Sequence, residues 1–262
     1  TIEDGSKYFN TVLYTGTGAI RSVTGVGFQP DWVWGKARNA AYHSNLFDSV
    51  RGVGKTLYSS ATNVELSDAA SLTSFDSDGF STGADPSAGI NYSGTTYVAW
   101  NWKAGGTAVS NGDGSITSTV SANPTAGFSV ITFTGNGTAG ATIGHGLGAV
   151  PKFIVVKNRT YAVNWRVYHA SLGATKFLSL NLGNAVGTSS LEWNNTTPTS
   201  SVITVGTSDN INRNTDDIVM YAFAEVEGYS KFGSYTGNGS TDGTFVYTGF
   251  RPSFVMIKRT DS

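Results

Sequence analysis

Gly27-Phe28-Gln29-Pro30-Asp31-Trp32-Val33-Trp34-Gly35-Lys36 is the stretch whose reading decides the fold, because the chain carries it three times. It returns as Ala149-Val150-Pro151-Lys152-Phe153-Ile154-Val155-Val156-Lys157, and again as Gly249-Phe250-Arg251-Pro252-Ser253-Phe254-Val255-Met256-Ile257-Lys258. Three of the six prolines occupy this one repeat position. The run after each proline is apolar at successive positions and ends on lysine. Bounded in this way, it reads as a central β-strand buried on both faces.

Upstream of each copy stands a glycine loop: Tyr14-Thr15-Gly16-Thr17-Gly18, Phe133-Thr134-Gly135-Asn136-Gly137 and Tyr235-Thr236-Gly237-Asn238-Gly239. Pro30 to Pro151 is 121 residues. The same step carries Lys36 to Lys157, Phe47 to Tyr168, Gly52 to Gly173, Leu57 to Leu178, Trp100 to Tyr221 and Trp102 to Phe223. One register kept over a whole unit indicates two copies of one domain. The third copy follows at a shorter step, Pro151 to Pro252 being 101 residues. We therefore expect one repeat over 1–122, a second over 123–231, and the start of a third over 232–262. A stub of roughly 30 residues cannot bury a core alone. It is expected to pack on the second repeat, to pair with another chain, or to be the cut end of a longer array. Residue 1 is Thr and not Met, which fits a piece of a longer chain or a processed product.

Val98, Trp100 and Trp102 fall at alternate positions, as do Val219, Tyr221 and Phe223, and both runs read as strands closing their units. Stretches such as Asn111-Gly112-Asp113-Gly114-Ser115 supply the positive-φ residues of hairpin turns. Residues 104–125 read as a connection with one strand within 115–120, and no segment makes a long helix. The expected fold is all-β, in tandem β-sandwich (jelly-roll-like) repeats.

Composition excludes several classes of function. The formal net charge is -1 and charged residues are 13% of the 262, against about 25% in an ordinary domain. That argues against nucleic acid as a partner, since phosphate binding needs clustered Lys and Arg. No run of about 18 apolar residues is present, so no membrane insertion is expected. With Cys 0 there is neither a disulfide framework nor a thiolate metal site. Aromatics at 12% and apolar residues at 39% suffice for a core, which excludes disorder.

No catalytic motif stands out. G-x-S-x-G, the P-loop and H-E-x-x-H are all missing. His43, His145 and His169 are assigned structural roles, and His169 aligns with Asp48 across the repeat. No catalytic residue and no cofactor is expected. Carboxylates are scattered, Asp31, Asp48, Asp76, Asp78 and Asp85 among them. Asp76-Ser77-Asp78-Gly79 makes Asp76 and Asp78 a Ca²⁺ candidate, with an Asx-type turn as the alternative. Aromatics apolar in every copy are assigned to the core. The unmatched ones, Tyr42, Tyr92, Tyr161, Trp165 and Trp193, are the candidates for stacking on sugar rings, Trp165 being the one closest to a core position. Lys36, Lys157 and Lys258, with the arginines beside them, are expected to snorkel at a sheet edge or to cap a neighbouring loop.

The repeated glycine and proline motifs form a distinctive set with Phe47-Asp48-Ser49-Val50-Arg51-Gly52, Ser77-Asp78-Gly79-Phe80 and Tyr97-Val98-Ala99-Trp100-Asn101-Trp102-Lys103-Ala104-Gly105-Gly106. Glu225-Val226-Glu227-Gly228-Tyr229-Ser230-Lys231-Phe232-Gly233-Ser234-Tyr235 belongs with them. As a set they resemble the repeat module of structural proteins of marine tailed phages. The resemblance covers both units and the stub. It implies a non-enzymatic virion surface protein with β-sandwich modules, a tail fibre or appendage, extracellular in location. It implies other virion proteins as partners and a homo-oligomer, with a trimer among the arrangements open to it. A glycan-binding appendage (recognising cell-surface polysaccharide of the host) is the first reading. A capsid decoration or purely architectural protein is the second, and a polysaccharide-degrading tailspike the third. The family offers no catalytic residue to transfer.

Overall fold

The computed structural model describes residues 2–84 and 89–261. In chain order, the first half forms β1 (Phe9–Thr15), β2 (Arg21–Thr24), β3 (Trp32–Ala37), β4 (Asn45–Asp48), β5 (Lys55–Tyr58), β6 (Leu66–Ser67), β7 (Leu72–Asp76), β8 (Gly79–Thr82) and β9 (Thr96–Trp102). The second half forms β10 (Val109–Asn111), β11 (Ser118–Asn123), β12 (Phe128–Thr134), β13 (Ala141–Gly144), β14 (Pro151–Asn158), β15 (Arg166–His169), β16 (Lys176–Ser179) and β17 (Gly187–Thr188). A single helical turn, α1 (Ser190–Trp193), leads to β18 (Val202–Val205) and β19 (Asp217–Ala224). The protein is all-β, built of several antiparallel sheets.

A six-stranded sheet runs β1-β9-β3-β4-β5-β6, and a three-stranded sheet runs β2-β8-β7. An eight-stranded sheet runs β10-β11-β12-β19-β14-β15-β16-β17, and a two-stranded sheet pairs β13 with β18. Without its first two strands, the large second sheet repeats the order of the first. β4, β5, β6 and β9 have counterparts β15, β16, β17 and β19 at the same 121-residue step. β3 and β14 sit inside their sheets, each paired on both sides. β10 and β11 pair onto β12, so the expected boundary at 122/123 falls inside β11. The stretch 104–125 carries two strands where one was anticipated.

Strand alternation puts successive side chains on opposite faces. In β3 the face of Val33 joins Val23, Phe47, Phe80 and Ala99 in a core against the three-stranded sheet. The opposite face, with Trp32 and Trp34, joins Val155, Val167, Val219 and Tyr221 of the eight-stranded sheet. The far face of that sheet, with Ile154, Val156, Ile218 and Met220, packs on Ile143, Ile203 and Val205 of the two-stranded sheet. The layers thus run small sheet, large sheet, large sheet, small sheet, and the central core is shared by the two halves. Trp32 stacks on Tyr221 at 4.4 Å between ring centroids, at the middle of that core.

The glycine loop has a steric cause. A Cβ on Gly16 would lie 2.2 Å from the carbonyl oxygen of Tyr92, and one on Gly135 would lie 2.3 Å from that of Arg213. Residues 232–261 hold no strand. They lie on the body at Phe254, 5.4 Å from Trp102, and at Thr260, whose carbonyl accepts from Val186 N–H at 2.9 Å.

Candidate functional site

The structure brings together only two of the five aromatic candidates. Tyr42 and Tyr92 meet edge to face at 6.0 Å, on the loops flanking β3 and β9. Tyr92 is 42% exposed. The Tyr42 loop is held by Lys36, whose Nζ donates to the Tyr42 carbonyl at 2.6 Å. Tyr161 stands in the second half, with the Arg213 guanidinium 3.9 Å above its ring. The cation covers one ring face, and Tyr161 is 42% exposed.

Trp165 and Trp193 are corrected to core residues. Trp165 is fully buried between the large sheets and donates Nε1–H to the Tyr58 carbonyl at 2.8 Å. Trp193 is 1% exposed and sits edge-on to Tyr168 at 5.7 Å. At the 121-residue step, Trp193 stands opposite Leu72 of β7. The second small sheet lacks a third strand, and α1 with this indole fills the space. Neither ring offers a face to a ligand.

Asp76 and Asp78 are both engaged by groups of the protein itself. Asp78 accepts the backbone N–H groups of Gly25 and Gly27 at 3.0 and 2.6 Å, which hold its carboxyl below the usual range. Asp76 accepts from the hydroxyls of Ser74 and Ser81 at 2.7 and 2.6 Å. Asp76 thus closes the β7–β8 hairpin from within, and Asp78 ties its turn to the segment after β2. Among the described residues, no three His, Asp or Glu side chains gather as a metal would need. Asp85 lies outside the described residues. Asp31 is buried and accepts from Ala104 N–H and the Ser49 hydroxyl, both at 2.8 Å.

The histidines are separate. His43 bonds Ser60 and stacks on Tyr58. His145 accepts from Leu147 N–H at 3.2 Å, and His169 from Ser171 N–H at 3.2 Å. Burial lowers both of these below the ordinary histidine value.

Sequence reasoning missed the most connected polar cluster. Arg51 is buried and donates to Asp48, to Glu65 Oε2 at 3.0 Å, to the Leu46 carbonyl at 3.1 Å and toward Tyr221 Oη at 3.4 Å. Tyr221 donates to Asp48 Oδ2 at 2.7 Å. Glu65 takes a forked pair of bonds from Arg159, at 2.8 and 2.9 Å. Asp48, Arg51 and Glu65 come from the first half and Arg159 and Tyr221 from the second, so the cluster crosses the central core. Burial opposes charge on Arg51, but Asp48, Tyr221 and Glu65 outweigh it and raise its pKa. Burial raises the pKa of the Tyr221 phenol well above its ordinary value. The signal available in sequence was Asp48 and Arg51 standing charged among Leu46, Phe47 and Val50.

Lys157 completes the crossing. Its Nζ donates to the Val163 carbonyl at 2.8 Å, as Lys36 does to the residue six positions on, and also to Thr62 of the other half at 3.1 Å. The cap expectation therefore describes Lys36 and Lys157, whereas the sheet-edge expectation does not, since β3 and β14 are interior. Burial without a carboxylate partner brings Lys157 down to about 8.

One cleft of about 340 Å³ opens where the halves meet, lined by Trp34, Ser59, Ser60, Leu180, Asn181 and Leu182. Its Asn181 amide is engaged on both sides, accepting from Trp165 N–H and donating to Asn164. The chemistry on display is thus a tyrosine pair of which Tyr92 is exposed, a neutral cleft and an ionic cluster whose Asp48 and Arg51 are buried. No helix is long and apolar enough to cross a membrane.

These features define an all-β protein whose antiparallel sheets are joined through a shared apolar core. The chain belongs to the family described as "Domain of unknown function (DUF7483)", which matches residues 4–262. Neither the curated proteins nor the solved structures include a match to it.

Proposed function

We propose that the chain is a non-enzymatic, stiff surface component of a tailed-phage virion, a tail fibre or similar appendage. In this reading it consists of two jelly-roll-like β-sandwich repeats, over 1–122 and 123–231, followed by the start of a third. The observation that carries it is the matching strand order of the two large sheets, β1-β9-β3-β4-β5-β6 and β12-β19-β14-β15-β16-β17. Copies of one module joined through a continuous core suit a part that must transmit load without bending. The ionic cluster serves the same end, because the Asp48–Arg51–Glu65 chain of the first half is tied to Arg159 of the second through the Arg159–Glu65 pair.

Tyr42 and Tyr92 are the place where such an appendage would touch glycan on a cell surface. The exposed ring of Tyr92, with the half-buried Tyr42 edge to face against it, offers an apolar surface of the kind sugar C–H groups stack on. A purely architectural role is the second reading, favoured by the burial of Trp165 and Trp193.

Antibodies raised against the chain test the location. Labelling on the outside of intact particles is expected, and labelling only after particle disruption contradicts the proposal. A glycan array tests the site: binding that is lost in Tyr42→Ala and Tyr92→Ala supports the tyrosine pair, and an array without any binder favours the architectural reading.

A further inference from the structure

The third glycine loop is formed, but the groups that hold it in the other two copies are not there. In the first copy, Asn91 donates Nδ2–H to the carbonyls of Ala19 and Gly83 at 2.7 and 2.9 Å and accepts from Thr17 N–H at 2.9 Å. In the second, Asn212 donates to Thr138 and Gly206 at 3.1 and 2.7 Å and accepts from Asn136 N–H at 3.0 Å. These asparagines arrive on the segments leading into β9 and β19, the segments whose carbonyls exclude a Cβ at Gly16 and Gly135.

The third loop has the same turn. Gly239 has φ 68°, as Gly18 has 68° and Gly137 has 65°. Ser240 N–H donates to Asn238 Oδ1 at 3.1 Å, where Thr138 N–H donates to Asn136 Oδ1 at 2.9 Å. Yet nothing among the described residues stands within 4 Å of a Cβ built on Gly237. Residues 254–258, which match the interior strands β3 and β14, are unpaired. Val255 and Ile257 are 64% and 67% exposed, and upstream Phe245 and Tyr247 are 85% and 78% exposed. A strand-forming apolar segment with open backbone groups is a template for an added strand.

We propose that residues 235–258 form a docking site for one antiparallel β-strand of the chemistry shared by β9 and β19. That strand is preceded by an asparagine that enters the 235–239 loop, and it alternates aromatic and small or aliphatic residues. The proposal rests on the repeat reading above, in which β9 and β19 fill the corresponding place in the other two copies. The site is already anchored to the body. Phe254 lies 5.7 Å from Trp100 and 5.8 Å from Phe9, and Lys258 Nζ donates to the Leu182 carbonyl at 2.7 Å.

The test uses the full chain and a synthetic peptide of residues 208–225, which carries Asn212 and the β19 sequence. Titration calorimetry is expected to give saturable one-to-one binding, with slowed hydrogen exchange at 254–258. Gly237→Ala is expected to leave the free protein's melting temperature unchanged and to weaken peptide binding by about tenfold or more. A peptide with Asn212→Leu is expected to bind about tenfold more weakly, through the hydrogen bonds it loses. Absence of peptide binding, equal binding by Gly237→Ala, or self-association through 254–258 that the peptide does not compete with overturns the proposal. Gly16→Ala and Gly135→Ala separate the two levels. If both destabilise the free chain and the peptide does not bind, docking alone fails; if neither destabilises it, the repeat reading fails as well.

Discussion

Tyr221 donates its phenolic hydrogen to Asp48 at 2.7 Å, across 173 positions of sequence and from one large sheet to the other. The bond lies beside the Trp32–Tyr221 stack, so one tyrosine joins the halves by both an apolar and a polar contact. Removing only the hydroxyl, by Tyr221→Phe, is expected to cost about 1–2 kcal/mol. Removing the cation, by Arg51→Met, leaves Asp48 buried without its charge partner and is expected to cost about 3–5 kcal/mol. Denaturant midpoints should rank the variants in that order.

Trp193 and Tyr92 make a pair of opposites. Trp193→Ala empties a buried site beneath α1 and is expected to cost about 3–5 kcal/mol. Tyr92→Ala changes an exposed ring and is expected to stay within about 0.5 kcal/mol of the parent. Thermal melts of the two variants distinguish a core tryptophan from a surface tyrosine.

Gly16→Ala and Gly135→Ala each drive a methyl group into a backbone carbonyl that cannot retreat without moving β9 or β19. A loss of about 1–3 kcal/mol is expected for each. Chemical denaturation of the single variants checks the value.

Lys157 sets the alkaline limb. Burial lowers it to about 8 in the folded protein, while an unfolded lysine stays protonated to about 10.4. Between these values the unfolded chain binds more protons, so stability rises with pH. The raised phenols of Tyr168 and Tyr221 act the other way above about pH 10, where the unfolded chain loses protons first. Denaturant midpoints are expected to climb from pH 8 to about 9.5 in the parent and to lose that climb in Lys157→Met.

The acid limb has two steps. His145 and His169 are lowered by burial, so the unfolded chain takes up protons first and stability falls as pH drops below about 6.5. Burial would raise Glu65, but the hydrogen bonds from Arg159 and the charges of Arg51 and Arg159 prevail and lower it. Its contribution is complete above the ordinary carboxylate value of about 4.3 and is lost as pH falls through the lower folded value. Glu65→Gln is expected to flatten the second step and leave the first, as read from midpoints between pH 3 and 7.

Much of the fold was legible in the sequence because Trp32-Val33-Trp34 and Phe153-Ile154-Val155 are apolar on both faces, which only an interior strand tolerates. The glycine loop was legible as a repeat, though its steric reason needed Tyr92 and Arg213, which are distant in sequence. What alternation could not give was the identity of the cover. It marks Trp32 as buried without naming Tyr221 as its neighbour. The same limit misled the reading of unmatched aromatics. Trp193 stands where the first half has Leu72 of β7, a strand without an equivalent in the second half, and Trp165 enters the central core where the first half has Ser44. Lack of an aromatic at the 121-residue step thus reported unequal packing at two positions, and exposure at Tyr92 and Tyr161.

Scanning calorimetry of the whole chain tests the shared central core most directly. Sheets locked through Trp32, Tyr221 and the Arg51 cluster should unfold together, in one transition whose calorimetric and van't Hoff enthalpies agree. Two resolved transitions, one lost on Trp32→Ala and the other untouched, would contradict the account.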